Sequence, residues 1–578
     1  MKWPSFKKED YIPQKRGTLL VTALFSLVAA ATFVVGMHVV RTKWFYSGTW
    51  EENYFEGLSV IDGLWLALLF VAFFFASIVI LGLIKFLLLQ FPVRKKEGNS
   101  TLVFCLAWLG IFICWVPYFL VNYPGALYAD SIVIMKQGIG ILSLSSHHPI
   151  AYVGLVNFFL QLGKVFFDSY IMGIAFYTVF QMVFMSAVFA YCLSWMSRHR
   201  IPLIVIVVFG IFIALLSIFP LHAVSMWKDG LYAVFVLRFS LLLFDIVESR
   251  GKALSKPAML VQLFLWGSAI ALIRSNGIYV MACVWLVLFL MYVWRNWRII
   301  IPVFASVLAV WLVIGPLSTL LEVRTEPVES CGIPLQQVAA VVVYDGEMTP
   351  DEQEFLDTLL PLEEYKEEYI PCSVDGIKWA KNFNEDFFNE NQAEFMQLWA
   401  QLGKANPGIY ASAYIMESYE YWSFADLKRN ITYNGVNDKY DAPDLGIIET
   451  NLLEVWFGEA VGNFFAFRFL HFQEGAMSWM VLFAGLVLFV ARHERWAPAQ
   501  DVRFGKHGIL RALPAPFSNA WWIVLLPTVA NWLTVLISSP FAALPRYILP
   551  AYFLLPVLIV LPWLICAGED EETAAQAS

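Results

Sequence analysis

The chain has 578 residues, 59% of them hydrophobic and 17% aromatic, and many of its apolar runs approach the roughly 20 residues that cross a bilayer. A soluble protein of this size would not carry such a composition. The formal charge of −8 hides a split: Leu321 to Gly475 holds 28 Asp and Glu against nine Lys and Arg, a local −19 that leaves +11 elsewhere. That split argues against nucleic acid as a partner and for a body embedded among membrane lipids, with basic loops on the cytoplasmic side.

Taken in chain order, spans are expected at about 18–40, 58–90, 102–121, 170–196, 201–220, 228–247, 258–275, 277–294, 299–320, 476–491, 519–541 and 545–566. The first, Thr18 to Val40, is too long for a signal-peptide core and reads as an uncleaved span. Ile150 to Gly163 starts after Pro149 and meets Lys164 after fourteen residues, a length that suits a re-entrant or interfacial helix. Loop charge supports this. If the stretch does not cross, the amino-terminal tail and the loops 91–100, 197–200, 248–257, 295–298 and 492–518 share one side and hold 20 basic residues, as the cytoplasmic side should. The fold class expected is thus an all-α polytopic membrane protein of about twelve transmembrane helices plus a re-entrant helix. Residues 1–320 form a membrane body with an outer loop at 122–169, 321–475 an extracytoplasmic domain, 476–566 the last spans, and 567–578 an acidic cytoplasmic tail. Both termini are expected in the cytoplasm, with the protein integral to the cell membrane.

The acidic domain carries helical punctuation. Thr349-Pro350-Asp351-Glu352 is a capping box with Pro at the first helical position, Asn406-Pro407 repeats the logic, and Asn391 to Lys404 is helix-like. Of seven cysteines only Cys331 and Cys372 fall in this domain, and they could pair if it faces an oxidising compartment. No C-x-x-C spacing exists, so thiolate metal sites have no support.

The segment richest in chemistry follows the third span: Asn122-Tyr123-Pro124-Gly125, then Asp130-Ser131, Gln137 and His147-His148-Pro149. Asp130 and Glu97 are the only carboxylates between Asp62 and Asp168. Asp130 suits either a helix N-cap or a general base in a partly dry site. Lys228, Arg274 and Arg546 fall at the outer ends of spans, where they either hold an anion or snorkel to headgroups. Arg238 lies mid-span with Asp245 two turns away, too far for a direct pair. An intramembrane arginine is a functional residue by default.

This arrangement resembles the GT-C superfamily of membrane glycosyltransferases, which includes protein mannosyltransferases and the lipid A aminoarabinose transferase. It is most similar to an uncharacterised bacterial branch also marked by Arg274-Ser275-Asn276-Gly277, Ile333-Pro334-Leu335-Gln336-Gln337 and Pro545-Arg546-Tyr547. The resemblance implies a polyprenyl-phosphate sugar as donor and an extracytoplasmic glycan, lipid or protein as acceptor. Asp130 would be the catalytic base, with His148, Lys228, Arg274, Asn276, Gln336, Gln337, Arg546 and Tyr547 around the substrates. No metal ligands are assigned, although a divalent cation is compatible with the class. The chain departs from the superfamily in two extra spans before the outer loop and in Asp130-Ser131 where an Asp-Glu pair is common.

The rival readings are a transporter or lipid flippase and a non-catalytic component of envelope polysaccharide assembly. No Walker A motif or Rossmann fingerprint appears, so ATP and soluble dinucleotides have no support as cofactors. Single cysteines introduced into 122–169 and 321–475 are expected to react with a membrane-impermeant thiol reagent from the face opposite the termini. Labelling of position 130 from the amino-terminal face would overturn this topology.

Overall fold

The computed structural model describes residues 13–42, 50–91, 94, 97–426, 441–466, 473–494, 496, 520–538, 541 and 544–566. The acidic tail, Lys43 and residues 497–518 of the basic loop lie outside them. The described residues are helical, with isolated bridges and no strand. The first twelve helices are α1 (Arg16–Thr42), α2 (Val60–Gln90), α3 (Ser100–Val121), α4 (Ala129–Gly138), α5 (Ile150–Phe167), α6 (Tyr170–Arg198), α7 (Leu203–Leu215), α8 (Ile218–Val224), α9 (Lys228–Glu248), α10 (Pro257–Ile273), α11 (Gly277–Tyr292) and α12 (Ile300–Leu312).

Among the described residues nine helices are long and apolar enough to cross a membrane, or ten if the bent pair α7–α8 counts as one span. Eight coincide with spans read from the sequence; the ninth is α5, which runs 18 residues from Ile150 to Phe167, beyond the fourteen-residue stretch expected. The other four expected spans are shorter or broken, each for a local reason. Between α7 and α8 the axis bends by 51° at Leu216, the residue whose carbonyl the Pro220 ring would strike in a continuous helix. α10 and α11 stop short of each other because Arg274 is extended (φ −142°, ψ 136°). Gly277 then passes so close to the Ile270 carbonyl that a side chain would not fit. The stretch 519–541 begins as a 3₁₀ turn and becomes α-helical only from Leu526, with Pro527 in the first turn.

Burial sorts the helices. α9 is enclosed by α6, α10 and the last helix, Leu549–Cys566. α2 and α3 instead turn large apolar side chains outward, among them Leu64, Val79, Leu106 and Ile113. Such a surface is untenable in water and natural in lipid, so this is a multi-pass membrane protein. α1 and α2 are joined by the buried Asp62, which takes His38 at 2.8 Å and Arg41 at 2.7 Å.

The described residues of the acidic region are largely helical, as read. The Thr349–Glu352 capping box forms, with bonds of 3.3 and 2.7 Å, and helices run over Gln392–Ala405 and Pro407–Trp422. It has a core of its own, built from Leu335, Val338, Leu356, Tyr365 and Leu402 among others. Cys331 and Cys372 are not joined: Cys331 keeps a free thiol beside that core, while Cys372 packs with Val39, Met416 and Tyr419.

α5 and α6 form a tight hairpin. A Cβ on Gly173 would lie 2.7 Å from the Leu160 Cα, whereas one on Gly154 would meet nothing. Gly173→Ala is therefore expected to lower the thermal midpoint in detergent, at a cost of about 1–3 kcal/mol. Gly154→Ala should leave it unchanged or raise it, since alanine favours the helix.

Candidate functional site

Six expected residues gather at one end of the bundle, each in the first turn of a helix or just ahead of one. Asp130 is in the first turn of α4, His148 precedes α5, Lys228 opens α9, Arg274 and Asn276 lead into α11, and Arg546 lies in the 3₁₀ turn Pro545–Ile548 before the last helix. Helix N-termini carry partial positive charge and unpaired N–H groups. Their convergence on three cationic side chains makes a field suited to an anion.

Asp130 is not the N-cap of α4; Tyr128 occupies that position and its backbone N–H donates to Ser131 Oγ at 3.1 Å. Ser131 Oγ in turn donates to the Met226 carbonyl at 2.9 Å. Backbone bonds from Ala126 to Val224 and from Met226 to Ala126 complete the clasp. The Asp130 carboxylate is thereby delivered beside α9, where Arg546 Nη1 donates to Oδ2 at 2.9 Å. Burial pushes the Asp130 carboxyl up, but the Arg546 guanidinium and Lys228 ammonium outweigh it and hold the group below the usual carboxylate range.

Lys228 Nζ donates to His148 Nδ1 at 3.3 Å. With Nδ1 accepting, the ring proton of the neutral imidazole sits on Nε2, which is buried and has no partner among the described residues. Burial and the Lys228 charge depress the His148 pKa and keep the ring neutral. Arg274 Nε approaches Asp229 Oδ1 at 3.3 Å and its Nη1 donates to the Tyr547 carbonyl at 3.4 Å.

Aromatic rings layer these charges. Tyr128 stacks on Trp227 at 3.7 Å, Arg546 lies 4.9 Å over Trp227 and 5.1 Å over Tyr547, and Arg274 lies 5.1 Å over Tyr547. Such stacks stabilise guanidinium groups outside bulk water. The cluster thus sets Lys228, Arg274 and Arg546 against Asp130 and Asp229. Three of its buried donors, Arg546 Nε, Trp227 Nε1 and His148 Nε2, lack partners among the described residues. Unpaired donors beside excess positive charge fit an anionic ligand.

Asp130, His147 and His148 offer ligand atoms within 4.8 Å of one another, the spacing a divalent cation would need. Their surroundings do not fit one: Arg546 holds Asp130, Lys228 holds His148 Nδ1, and His147 Nδ1 meets Glu329 Oε2 at 3.1 Å. Two neighbouring cations would repel a third.

Gln336 and Gln337 are elsewhere. Both are buried in the helix Gly332–Val343, where Gln336 donates to the Ile370 carbonyl at 2.7 Å and Gln337 bridges Tyr410 and Trp399. Neither hydrogen-bonds to the Asp130 cluster, and both fasten the acidic region internally. Asn276 supports the cluster from the side, donating to Asn531 and Thr534. Sequence reasoning passed over Tyr128, Trp227 and Asp229. The run Trp227-Lys228-Asp229 at a helix start was the available signal, since an acid and an aromatic flank a cation already singled out.

A bundle of long apolar helices with a half-buried, anion-receptive charge cluster at one end defines a multi-pass membrane protein with a polar site at one end of its helices. The chain belongs to a family of unknown function, DUF6020, whose model matches residues 140–448, more than half of the sequence. The matched stretch includes His148, Lys228 and Arg274, begins after Asp130 and ends before Arg546. No curated protein and no solved structure matches the chain.

Because folding keeps His148 neutral while the unfolded imidazole protonates near pH 6.5, its contribution is complete above that pH and falls as pH drops. The thermal midpoint is expected to fall between pH 7.5 and 5, by the equivalent of up to about 2 kcal/mol at pH 5. A His148→Gln variant should lose less over the same range. Parallel curves would remove His148 as the cause.

Proposed function

We propose that the chain is a membrane glycosyltransferase of the GT-C type, moving a sugar from a polyprenyl-phosphate donor to an extracytoplasmic acceptor. In this reading about twelve helices cross the membrane, and loop 122–169 and region 321–475 share the outer side. The observation that carries it is the charge cluster: three cations and the unpartnered donors of Arg546, Trp227 and His148, next to a carboxylate, at the mouth of converging helix N-termini. A lipid-linked sugar phosphate has the matching form, with its tail in the bilayer and its phosphate at the level of these helix ends.

The chemistry follows from the positions. The donor phosphate takes Arg546, Lys228 and Arg274, with His148 Nε2–H and Trp227 Nε1–H as further donors. As Arg546 turns toward the phosphate, Asp130 loses its strongest neighbour and becomes more basic. Asp130 accepts the proton of an acceptor hydroxyl, whose oxygen bonds to the anomeric carbon. The bond from that carbon to the phosphate oxygen breaks, and the polyprenyl phosphate leaves with the electron pair, stabilised by the same cations.

One observation favours a second reading, a transporter or flippase: the pair α7–α8, bent by 51°, runs directly into the segment that carries Trp227 and Lys228, and broken helices at charged sites are a transporter trait. Purified protein assayed with a panel of polyprenyl-phosphate sugars separates the two. The expected result is turnover with at least one donor, falling by about 10²–10⁴-fold in Asp130→Asn with expression and thermal midpoint retained. A well-folded sample inert toward every donor would favour transport.

A further inference from the structure

Arg238 stands in the middle of α9, ten residues from each end, so about 15 Å along the axis from either. It is 6% exposed. Its Nη2 donates to the Gln262 side-chain oxygen, and its buried Nη1 has no partner among the described residues. The guanidinium lies 4.3 Å over the ring of Tyr191 and 5.8 Å over that of Trp266. Asp245, two turns along, is already engaged by Trp195 Nε1 at 2.9 Å and by His199 at 3.6 Å.

A second arginine shares the same ring. Arg198, the last residue of α6, places its guanidinium 5.1 Å from Tyr191 and donates to the Tyr191 hydroxyl at 2.8 Å. Among the described residues neither arginine forms an ion pair with a carboxylate. Two guanidinium groups held on one phenol repel each other, and a buried intramembrane arginine calls for a polar partner. The two cations and the unpartnered Nη1 together favour an anionic partner.

The surroundings define which kind. α6 and α10 flank α9, and Phe184, Phe235 and Trp266 pack on one another where the three helices meet, with ring centroids 5.7–6.1 Å apart. Val261 and Leu265 turn outward beside this aromatic cluster, so it lies at the apolar perimeter. We propose that this face binds an anionic phospholipid, its phosphate held by Arg198 at the end of α6, with Arg238 beneath it across the Tyr191 ring and an acyl chain lying along the aromatic cluster. The site extends from the middle of α9 to the end of α6 remote from Asp130 and is independent of any reaction at Asp130. Basic pockets between membrane helices hold lipid headgroups in this way.

Native mass spectrometry of the full chain released from nanodiscs of mixed phosphatidylglycerol and phosphatidylcholine tests it. The wild type is expected to retain phosphatidylglycerol selectively. Arg198→Ala, at an exposed position, should lower that retention about tenfold, the loss of one charge-assisted contact, with an unchanged thermal midpoint. Arg238→Gln should abolish the selectivity without destabilising the fold, because it removes a cation that has no carboxylate partner. Equal retention of the two lipids by the wild type, or retention unaltered in both variants, would overturn the proposal. So would millimolar inorganic phosphate stabilising the detergent-purified protein as strongly as phosphatidylglycerol, since the site would then serve a soluble anion.

Discussion

A carboxylate in the loop after α3 and a guanidinium ahead of the last helix meet at 2.9 Å across 416 positions of chain. The pair ties together the segments that carry the two groups, which also meet through Trp227, on which Tyr128 stacks and over which Arg546 lies. It also solves an electrostatic problem. Three cations collected at positive helix ends would be costly to withdraw from water, and Asp130 and Asp229 offset most of that cost while leaving some positive field for a ligand.

α9 is the axis on which this depends. It is the most enclosed of the long helices, and its first two residues, Lys228 and Asp229, supply one charge of each sign to the cluster. Halfway along it, Arg238 supplies a second, separate positive centre. A helix exposed to lipid could hold neither, since the hydrocarbon offers no partners. Enclosure by α6 and α10 provides Tyr191, Trp266 and Gln262 at one level, while the clasp of Ala126 with Val224 brings Asp130 to the other.

The acidic region is tied to the same loop by several independent contacts. Ser145 pairs with Arg324, Leu127 N–H donates to Glu449 Oε1 at 2.6 Å, and His147 meets Glu329, which also holds Lys378 at 3.0 Å. His147 therefore has a definite role as the link between loop and acidic region, next to the histidine that faces Lys228. Any movement of the acidic region would reach His148 and Asp130 through these contacts.

Long apolar runs, the split of charge and the capping boxes determined on their own that the chain is a helical membrane protein with an acidic helical insertion. Hydrophobic length and local capping act within a segment, so they are written in the order of residues. The breaks at Leu216, Arg274 and Leu526 were harder to see, because composition across them stays apolar and only the steric demands of Pro220, Gly277 and Pro527 interrupt the helix. Asp130, Lys228, Arg274 and Arg546 were legible as rare charges beside apolar segments, but their partners were not. Which cation meets which carboxylate, the stacking of Tyr128, Trp227 and Tyr547 between them, and the internal role of Gln336 and Gln337 depend on the packing of helices distant in the chain. Only the tertiary structure could decide these, since electrostatic pairing acts through space and takes no account of sequence separation.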